Sequence, residues 1–144
     1  MSATAAPYVH RHRVGFDEVD AAGIVYFARF FTWCHDAMEA MLAPLAGGYT
    51  ELVMSRRLGL PAVHVEADYG APLRFGDEVL VEASVERLGT SSVALRFEIV
   101  RSPGREPVAL VKHVVALVSL AAIRSQPLPD DVRAVFERYL RSGG

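Results

Sequence analysis

Apolar residues in the first third of the chain recur at steps of three and four. Between residues 26 and 42 they stand at positions 27, 30, 31, 34, 38, 41 and 42, and the charged residues lie mostly on the opposite side. This spacing predicts a long amphipathic helix over 26–42, which Pro44 and the glycine pair after it end. Thr50 is predicted to cap a short second helix over 51–57.

Further along the chain the period of the apolar positions changes to two, which is typical of β-strands. Alternation predicts strands over 62–69, 78–88 and 92–101, and residues 8–16 form a first strand. The segment 108–120 is apolar on nearly both faces, as in a central strand. Turns at 89–91 and 103–105 join the last three strands as an antiparallel meander. A final helix is predicted from Pro129 to Tyr139, with acidic residues in its first turn.

The order of these elements is a strand, a long helix and then four strands. It predicts an α+β protein in which an antiparallel five-stranded sheet wraps around the central helix, because one face of the sheet would otherwise stay wet. Exposed sheet edges favour dimerisation by edge pairing. We expect one domain over 1–144, with frayed tails at about 1–7 and 142–144.

Composition narrows the classes of function. The formal net charge of −2 gives no basic stripe for nucleic acid. Cys34 is the single cysteine, so an intrachain disulfide is excluded, a cysteine-based zinc site is disfavoured, and no metal site is predicted. The first seven residues hold no apolar signal core, and no apolar run is long enough to cross a bilayer. We therefore predict a cytoplasmic protein without a membrane or nucleic-acid partner.

Candidate chemistry concentrates in residues 17–27, DEVDAAGIVYF, where carboxylates and a glycine directly precede the long helix. A carboxylate near a helix N-terminus lies close to unpaired backbone N–H groups and the positive end of the helix dipole. That pairing suits acyl chemistry, with the carboxylate as nucleophile or base and an N–H as oxyanion donor. From the residues alone, Asp20 could instead close an Asx-turn. Asp17 is expected to be the structural acid of the loop, and Gly23 to have positive φ or a close substrate approach.

The same segment resembles hot-dog-fold acyl-CoA thioesterases of the 4-hydroxybenzoyl-CoA thioesterase family. Residues 60–64 (LPAVH), 71–77 (APLRFGD) and 88–92 (LGTSS) look like later landmarks of that family, and the resemblance covers about 8–120. It implies the hot-dog fold and hydrolysis of an acyl-CoA thioester by a homodimer or homotetramer. No cofactor is implied, because coenzyme A is part of the substrate.

The resemblance places the catalytic aspartate on Asp20 and the oxyanion donor on the backbone N–H of Phe27. Some members of the family carry a histidine where Phe27 stands. Because this chain lacks that histidine, the resemblance favours the branches that act on aromatic acyl groups, such as 4-hydroxybenzoyl-CoA or 1,4-dihydroxy-2-naphthoyl-CoA. The 1,4-dihydroxy-2-naphthoyl-CoA hydrolases have a histidine that is similar to His64. His64 is accordingly a third catalytic candidate, with a solvated strand histidine as the alternative.

Substrate contacts are assigned by the same resemblance. Gly23 and Tyr26 belong to the loop, and His35 lines the acyl pocket from the partner chain unless it is simply an interface histidine. The turn after the third strand consists of Gly89, Thr90 and Ser91. The 4-hydroxybenzoyl enzyme has a run of basic residues at this place. In this chain the N–H groups and hydroxyls of the turn, with Arg87, would then contact the CoA phosphates.

Two other functions stay open at this point. A hot-dog dehydratase would need a base at the helix, where Phe27 stands. A non-catalytic acyl-CoA-binding protein is the alternative from a different class. His10 and His12 alternate with arginines and are expected on an exposed edge strand, and Cys34 is expected in the core.

Overall fold

The computed structural model describes residues 5–142. These residues form three α-helices: α1 (Arg29–Met41), α2 (Gly48–Met54) and α3 (Asp130–Glu137). The strands are β1 (Tyr8–Arg13), β2 (Leu58–Gly59), β3 (Ala62–Tyr69), β4 (Glu78–Leu88), β5 (Ser92–Ser102), β6 (Pro107–Ala116), β7 (Val118–Ser119) and β8 (Arg124–Ser125).

The main sheet has five strands in the order β1-β4-β5-β6-β3, and every neighbouring pair is antiparallel. The predicted meander is therefore confirmed as β4-β5-β6. Alternate residues on the inner face of the sheet share one buried core with the apolar side of α1, including Trp33, Cys34 and Met38 of the helix and Val81 and Phe97 of the sheet. The predicted arrangement of a five-stranded sheet around one long helix is confirmed.

The helix α1 begins three residues later than its apolar pattern predicts. Tyr26 is held outside the helix because its N–H donates to the Glu18 carbonyl at 3.0 Å. Its own carbonyl accepts the Arg29 N–H at 2.9 Å, so the chain turns before the helix starts. Phe27 is consequently 55% exposed, although its spacing predicted a place on the buried stripe.

Other boundaries also shift where the chain finds tertiary partners. The strand β1 ends at Arg13, and residues Phe16–Glu18 form a 3₁₀ turn instead of extending the strand. The short helix α2 starts at Gly48, after Gly47 in a left-handed conformation (φ 79°), so Thr50 lies inside the helix and does not cap it.

The long apolar segment after residue 107 is divided between two sheets. Strand β6 ends at Ala116, and the next N–H, that of Leu117, donates to the Ser91 carbonyl at 2.8 Å. The following residues, Val118 and Ser119, then join a small sheet in the order β2-β7-β8, which the sequence pattern did not predict. The last helix occupies Asp130–Glu137, close to its prediction.

Strand β3 forms one open edge of the main sheet, and β1 forms the other. The alternation predicted Val63, Val65 and Tyr69 on the apolar face of β3. These three side chains remain largely exposed to solvent, each to at least 41%. Among residues 5–142, no helix combines the length and apolar character needed to span a bilayer. The predicted frayed tails lie partly outside the described residues, at 1–4 and 143–144.

Candidate active site

The segment between the 3₁₀ turn and α1 is a tight hairpin that carries Asp20. Val19 pairs with Val25 in antiparallel fashion, and the Asp20 N–H donates to the Ile24 carbonyl at 2.9 Å. Gly23 closes the hairpin with φ of 79°, which confirms the predicted positive φ. A side chain at this position would be strained even though the space beside it is open.

The Asp20 side chain is exposed and takes part in the turn. Its Oδ1 accepts the Ala22 N–H at 2.8 Å, so the Asx-turn foreseen as the alternative is present. This bond occupies one carboxylate oxygen. The bond also orients the carboxylate relative to the hairpin backbone, which is what a reactive group at this position would need.

The Phe27 peptide leads into the N-terminus of α1. The Phe30 N–H donates to the Phe27 carbonyl at 3.3 Å, whereas the Phe27 N–H itself has no acceptor among the described residues. An N–H left unpaired at a helix start can donate a hydrogen bond to a ligand oxygen on which negative charge develops. The Tyr69 hydroxyl donates to the same carbonyl at 3.2 Å. Burial, with a smaller effect of Cys34, raises the pKa of Tyr69, so the hydroxyl keeps its proton.

A cavity of about 320 Å³ opens beside this helix start. Its walls are apolar, and the aromatic rings of Phe27, Phe30 and Tyr69 form one side. The Tyr69 ring packs edge to face against both phenylalanines, with centroid separations of 6.4 Å and 5.1 Å. The size and lining are those of a small-molecule pocket for a planar apolar group.

The structural acid of the loop is Glu18, not Asp17 as the sequence suggested. Glu18 is 8% exposed, and its carboxylate accepts three hydrogen bonds. Gly15 N–H (2.8 Å) and His12 Nε2 (2.7 Å) contact Oε1, and Trp33 Nε1 (2.6 Å) contacts Oε2. Burial opposes its charge, but these hydrogen bonds together bring the pKa of Glu18 below its ordinary value. Asp17 is exposed, and it contributes its backbone carbonyl to Arg29 at 3.1 Å.

Comparison with known proteins identifies the family. Residues 14–136 match the family model described as the thioesterase-like superfamily. The chain belongs to the thioesterase-like superfamily. The family resemblance and the hot-dog fold expected from the sequence are thereby confirmed.

Individual relatives of this thioesterase-like chain carry more specific names. A 1,4-dihydroxy-2-naphthoyl-CoA hydrolase of Synechococcus sp. (strain CC9605) is 32% identical over 138 residues, covering 90% of this chain and 89% of that protein. A gentisyl-coenzyme A thioesterase structure is 27% identical with a TM-score of 0.79, covering 87% and 98% of the two chains. The dynemicin thioesterase, whose crystal structures reveal induced-fit and allosteric effects upon polyene binding, is 31% identical with a TM-score of 0.82, covering 93% and 97% of the two chains.

Not all predicted site residues of this thioesterase-like protein lie together. His64 and Arg87 line a second, larger cavity of about 540 Å³ on the outer face of the sheet, away from α1. Four cations (Arg87, Arg96, Lys112 and Arg141) and two acids line that cavity; Glu86 lies 3.5 Å from Arg96 and 3.3 Å from Lys112, and Glu66 lies 3.2 Å from His64. Neither Asp20 nor Phe27 lines it. We therefore place the candidate active site at the smaller, apolar cavity, which adjoins the helix start.

His35 and the Gly89–Ser91 turn also lie apart from Phe27 within one chain. His35 is exposed on α1, 3.4 Å from Glu39. The turn carbonyls of Gly89 and Thr90 accept the Arg133 guanidinium at 2.6 Å and 3.2 Å. Arg133 thus supplies a cation at this turn, and only the fold reveals it, because Arg133 is more than 40 positions away in sequence.

Sequence reasoning did not single out Tyr69 as a site residue. Its signal was its place as the last residue of β3, immediately before a glycine that lines the same cavity. His12 was expected on an exposed edge; it is instead half-buried and packs on Trp33 with a ring separation of 4.6 Å. Within the described part of the chain, no three His, Cys, Asp or Glu side chains are grouped as metal ligands.

Proposed function

We propose that the protein hydrolyses an aromatic acyl-CoA thioester, of the 1,4-dihydroxy-2-naphthoyl-CoA or 4-hydroxybenzoyl-CoA kind, to the free acid and coenzyme A. Thioester hydrolysis is the chemistry of its family and of the named relatives. The observation that carries the proposal is the unpaired Phe27 N–H beside an apolar, aromatic-walled cavity, on the same hairpin-to-helix segment as Asp20.

In the proposed reaction, the thioester carbonyl oxygen accepts the Phe27 N–H at the N-terminus of α1. The partial positive charge of the helix start stabilises the oxyanion that forms. Asp20 then either attacks the carbonyl carbon to give a mixed anhydride, which water hydrolyses, or removes a proton from an attacking water. In both routes the C–S bond breaks and the CoA thiolate leaves. A thiol is acidic enough to leave near neutral pH without a dedicated proton donor.

An aromatic acyl group fits the walls of the cavity. Phe27, Phe30 and Tyr69 present ring faces and edges, which favour a flat ring over a flexible chain. The relatives named for dihydroxynaphthoyl and gentisyl thioesters point to the same class. His64 enters this proposal only in an assembly, because within one chain it lies on the other face of the sheet.

Assembly is part of the proposal. The β3 edge strand offers unpaired backbone groups and exposed apolar side chains, so we propose a homodimer that pairs two β3 strands, or a homotetramer of such dimers. The pantetheine arm would lie along that interface, where His35 of the partner could line the acyl pocket. The CoA phosphates would lie at the Gly89–Ser91 turn, where Arg133 and Arg87 add positive charge.

The reaction as proposed uses no cofactor, since coenzyme A enters as part of the substrate. The cytoplasmic location predicted from the sequence stays a prediction, which fractionation of producing cells would check.

Thiol release from a panel of CoA thioesters tests the function. The panel contains benzoyl-, 4-hydroxybenzoyl-, phenylacetyl-, 1,4-dihydroxy-2-naphthoyl-, acetyl- and palmitoyl-CoA, and Ellman reagent reports the thiol. Asp20→Asn should lower kcat at least about 100-fold, because it removes the nucleophile or base. Asp17→Asn is the matched control from the same loop, and it should keep nearly full activity because Asp17 contacts Arg29 through its backbone carbonyl, which the substitution retains.

The outcomes separate the candidate functions. Rapid release from one aromatic thioester, lost in Asp20→Asn and kept in Asp17→Asn, supports the proposal. Near-normal turnover of Asp20→Asn contradicts the role of Asp20. Binding of CoA thioesters without any release would favour a non-catalytic acyl-CoA-binding protein, and hydration chemistry on an enoyl-CoA would favour a dehydratase.

A further inference from the structure

Glu18 joins four separate parts of the molecule at one carboxylate and one peptide. Its side chain accepts hydrogen bonds from His12 on β1, Gly15 before the 3₁₀ turn and Trp33 on α1. Its backbone carbonyl accepts the Tyr26 N–H at 3.0 Å. These contacts connect strand β1 and helix α1 to both ends of the loop between them, at Gly15 and at Tyr26.

Three hydrogen bonds converge on the Glu18 carboxylate, whose lowered pKa keeps it ionised near neutral pH. The Gly15 amide and the Trp33 indole can only donate, and an ionised carboxylate can only accept. His12 must therefore present a protonated Nε2 to Oε1. A glutamine of the same shape has a single acceptor oxygen, so an amide N–H₂ would face at least one of these donors.

Glu18 is linked to both proposed reacting groups, to Asp20 by proximity in sequence and to Phe27 through the hydrogen bond from Tyr26. Asp20 is two residues after Glu18, and the intervening residue Val19 pairs with Val25. Tyr26, which bonds to the Glu18 carbonyl, immediately precedes the Phe27 N–H. A displacement of Glu18 would therefore move the carboxylate of Asp20 and the donor of Phe27 relative to α1.

We propose that Glu18 is a positioning residue, which holds the Asp20 hairpin and the Phe27 N–H in register with the start of α1 through its bonds to Trp33 and Tyr26. This inference rests on the proposed function, because it assigns Glu18 a role in thioester hydrolysis. Glu18 is buried behind the loop and does not line the cavity. Its effect on catalysis is therefore indirect.

Glu18→Gln is the decisive variant, because it keeps the volume and removes one acceptor. We expect kcat to fall at least about tenfold while KM changes less than about threefold, since a misplacement below 1 Å already costs this much. Hydrogen–deuterium exchange of residues 19–28 should become faster, because Glu18 then restrains the Tyr26 amide and its neighbours less and the loop opens more often.

Two further variants separate positioning from simple stability. Trp33→Phe keeps a buried aromatic ring but removes the indole donor. It should lower kcat, as Glu18→Gln does. The double variant should be no slower than Glu18→Gln alone, because both changes break one link. Phe136→Leu in α3, fully buried and outside the site, is the control that lowers the melting temperature without changing kcat or loop exchange.

The results decide the proposal in every case. A lower kcat and faster loop exchange in Glu18→Gln, with neither change in Phe136→Leu, support it. Unchanged kcat, or a loss that scales only with melting temperature in all variants, overturns it. If the wild type hydrolyses no thioester, the proposed function fails, and the exchange of residues 19–28 alone then decides whether Glu18 positions this loop.

Discussion

The hydroxyl of Tyr69 donates a hydrogen bond of 3.2 Å to the carbonyl oxygen of Phe27. Tyr69 is the last residue of the edge strand β3, and Phe27 belongs to the turn that starts α1. The contact therefore links the sheet edge that we propose for dimerisation to Phe27, the residue whose N–H we propose as oxyanion donor. Assembly and catalysis would share this one contact.

Tyr69→Phe should lower kcat/KM about fivefold with little change in melting temperature. The substitution keeps the ring packing and removes one hydrogen bond, whose net worth is about 1 kcal/mol. Steady-state thiol release measures the effect. Tyr139→Phe, which removes a hydroxyl two residues after α3, is the matched control and should leave kcat/KM unchanged. Equal values for both variants would exclude a role for the Tyr69 hydroxyl.

The regular elements were predictable because side-chain periodicity encodes them directly. The period of two over 78–88 and 92–101 and the period of 3.6 over 30–41 each reflect burial against one core. The helix start was not predictable from that pattern. Phe27 continues the apolar spacing, but the hydrogen bond from the Tyr26 N–H to Glu18 turns the chain out of the helix first.

The site was predictable only in part, for a related reason. The loop offers three acids within four positions, Asp17, Glu18 and Asp20, and local sequence does not rank them. His12 and Trp33 select Glu18 for burial, and both partners are tertiary. Gly23 was predictable because its positive φ is a property of its own backbone.

Val65→Lys should weaken self-association. Val65 lies on the edge strand β3. A lysine there would place a charge at the interface between the two β3 strands that we propose to pair. Val9→Lys on the opposite edge strand β1 is a close match, because the two valines are 41% and 42% exposed. Light scattering after size exclusion should show a smaller mass for Val65→Lys alone. A loss of mass in both variants, or in Val9→Lys only, would place the interface elsewhere.

His113 is a buried polar group on the inner face of β6. It is 7% exposed, it lies between the rings of Phe97 (5.2 Å) and Phe31 (5.9 Å), and its Nε2 has no hydrogen-bond partner among the described residues. Burial, with repulsion from His35, lowers the pKa of His113 below the ordinary value of 6.5. The neutral ring is therefore favoured in the fold.

His113→Leu should raise the free energy of unfolding by about 1 kcal/mol at pH 7.5, because it removes an unpaired buried nitrogen. The gain should grow as the pH falls from 7 to 5. Below pH 6.5 the unfolded histidine binds a proton that the folded one resists, so the wild type loses stability there. Urea unfolding measures both values. His10→Leu on β1 is the control, and an equal pH dependence in both variants would contradict the assignment.

Glu18→Gln should reduce the pH dependence of stability on the acid side. The folded-state pKa of Glu18 lies below its ordinary value of 4.5, so the ionised carboxylate stabilises the fold above pH 4.5, and this contribution is lost as the pH falls through the folded-state value. The variant should therefore be less stable than the wild type at pH 6, and the difference should shrink toward pH 3. Urea midpoints at the two pH values measure it. Glu78→Gln, at an exposed position of β4, should leave the dependence unchanged. A constant difference between wild type and Glu18→Gln from pH 6 to 3 would show that Glu18 acts through its shape and not through its charge.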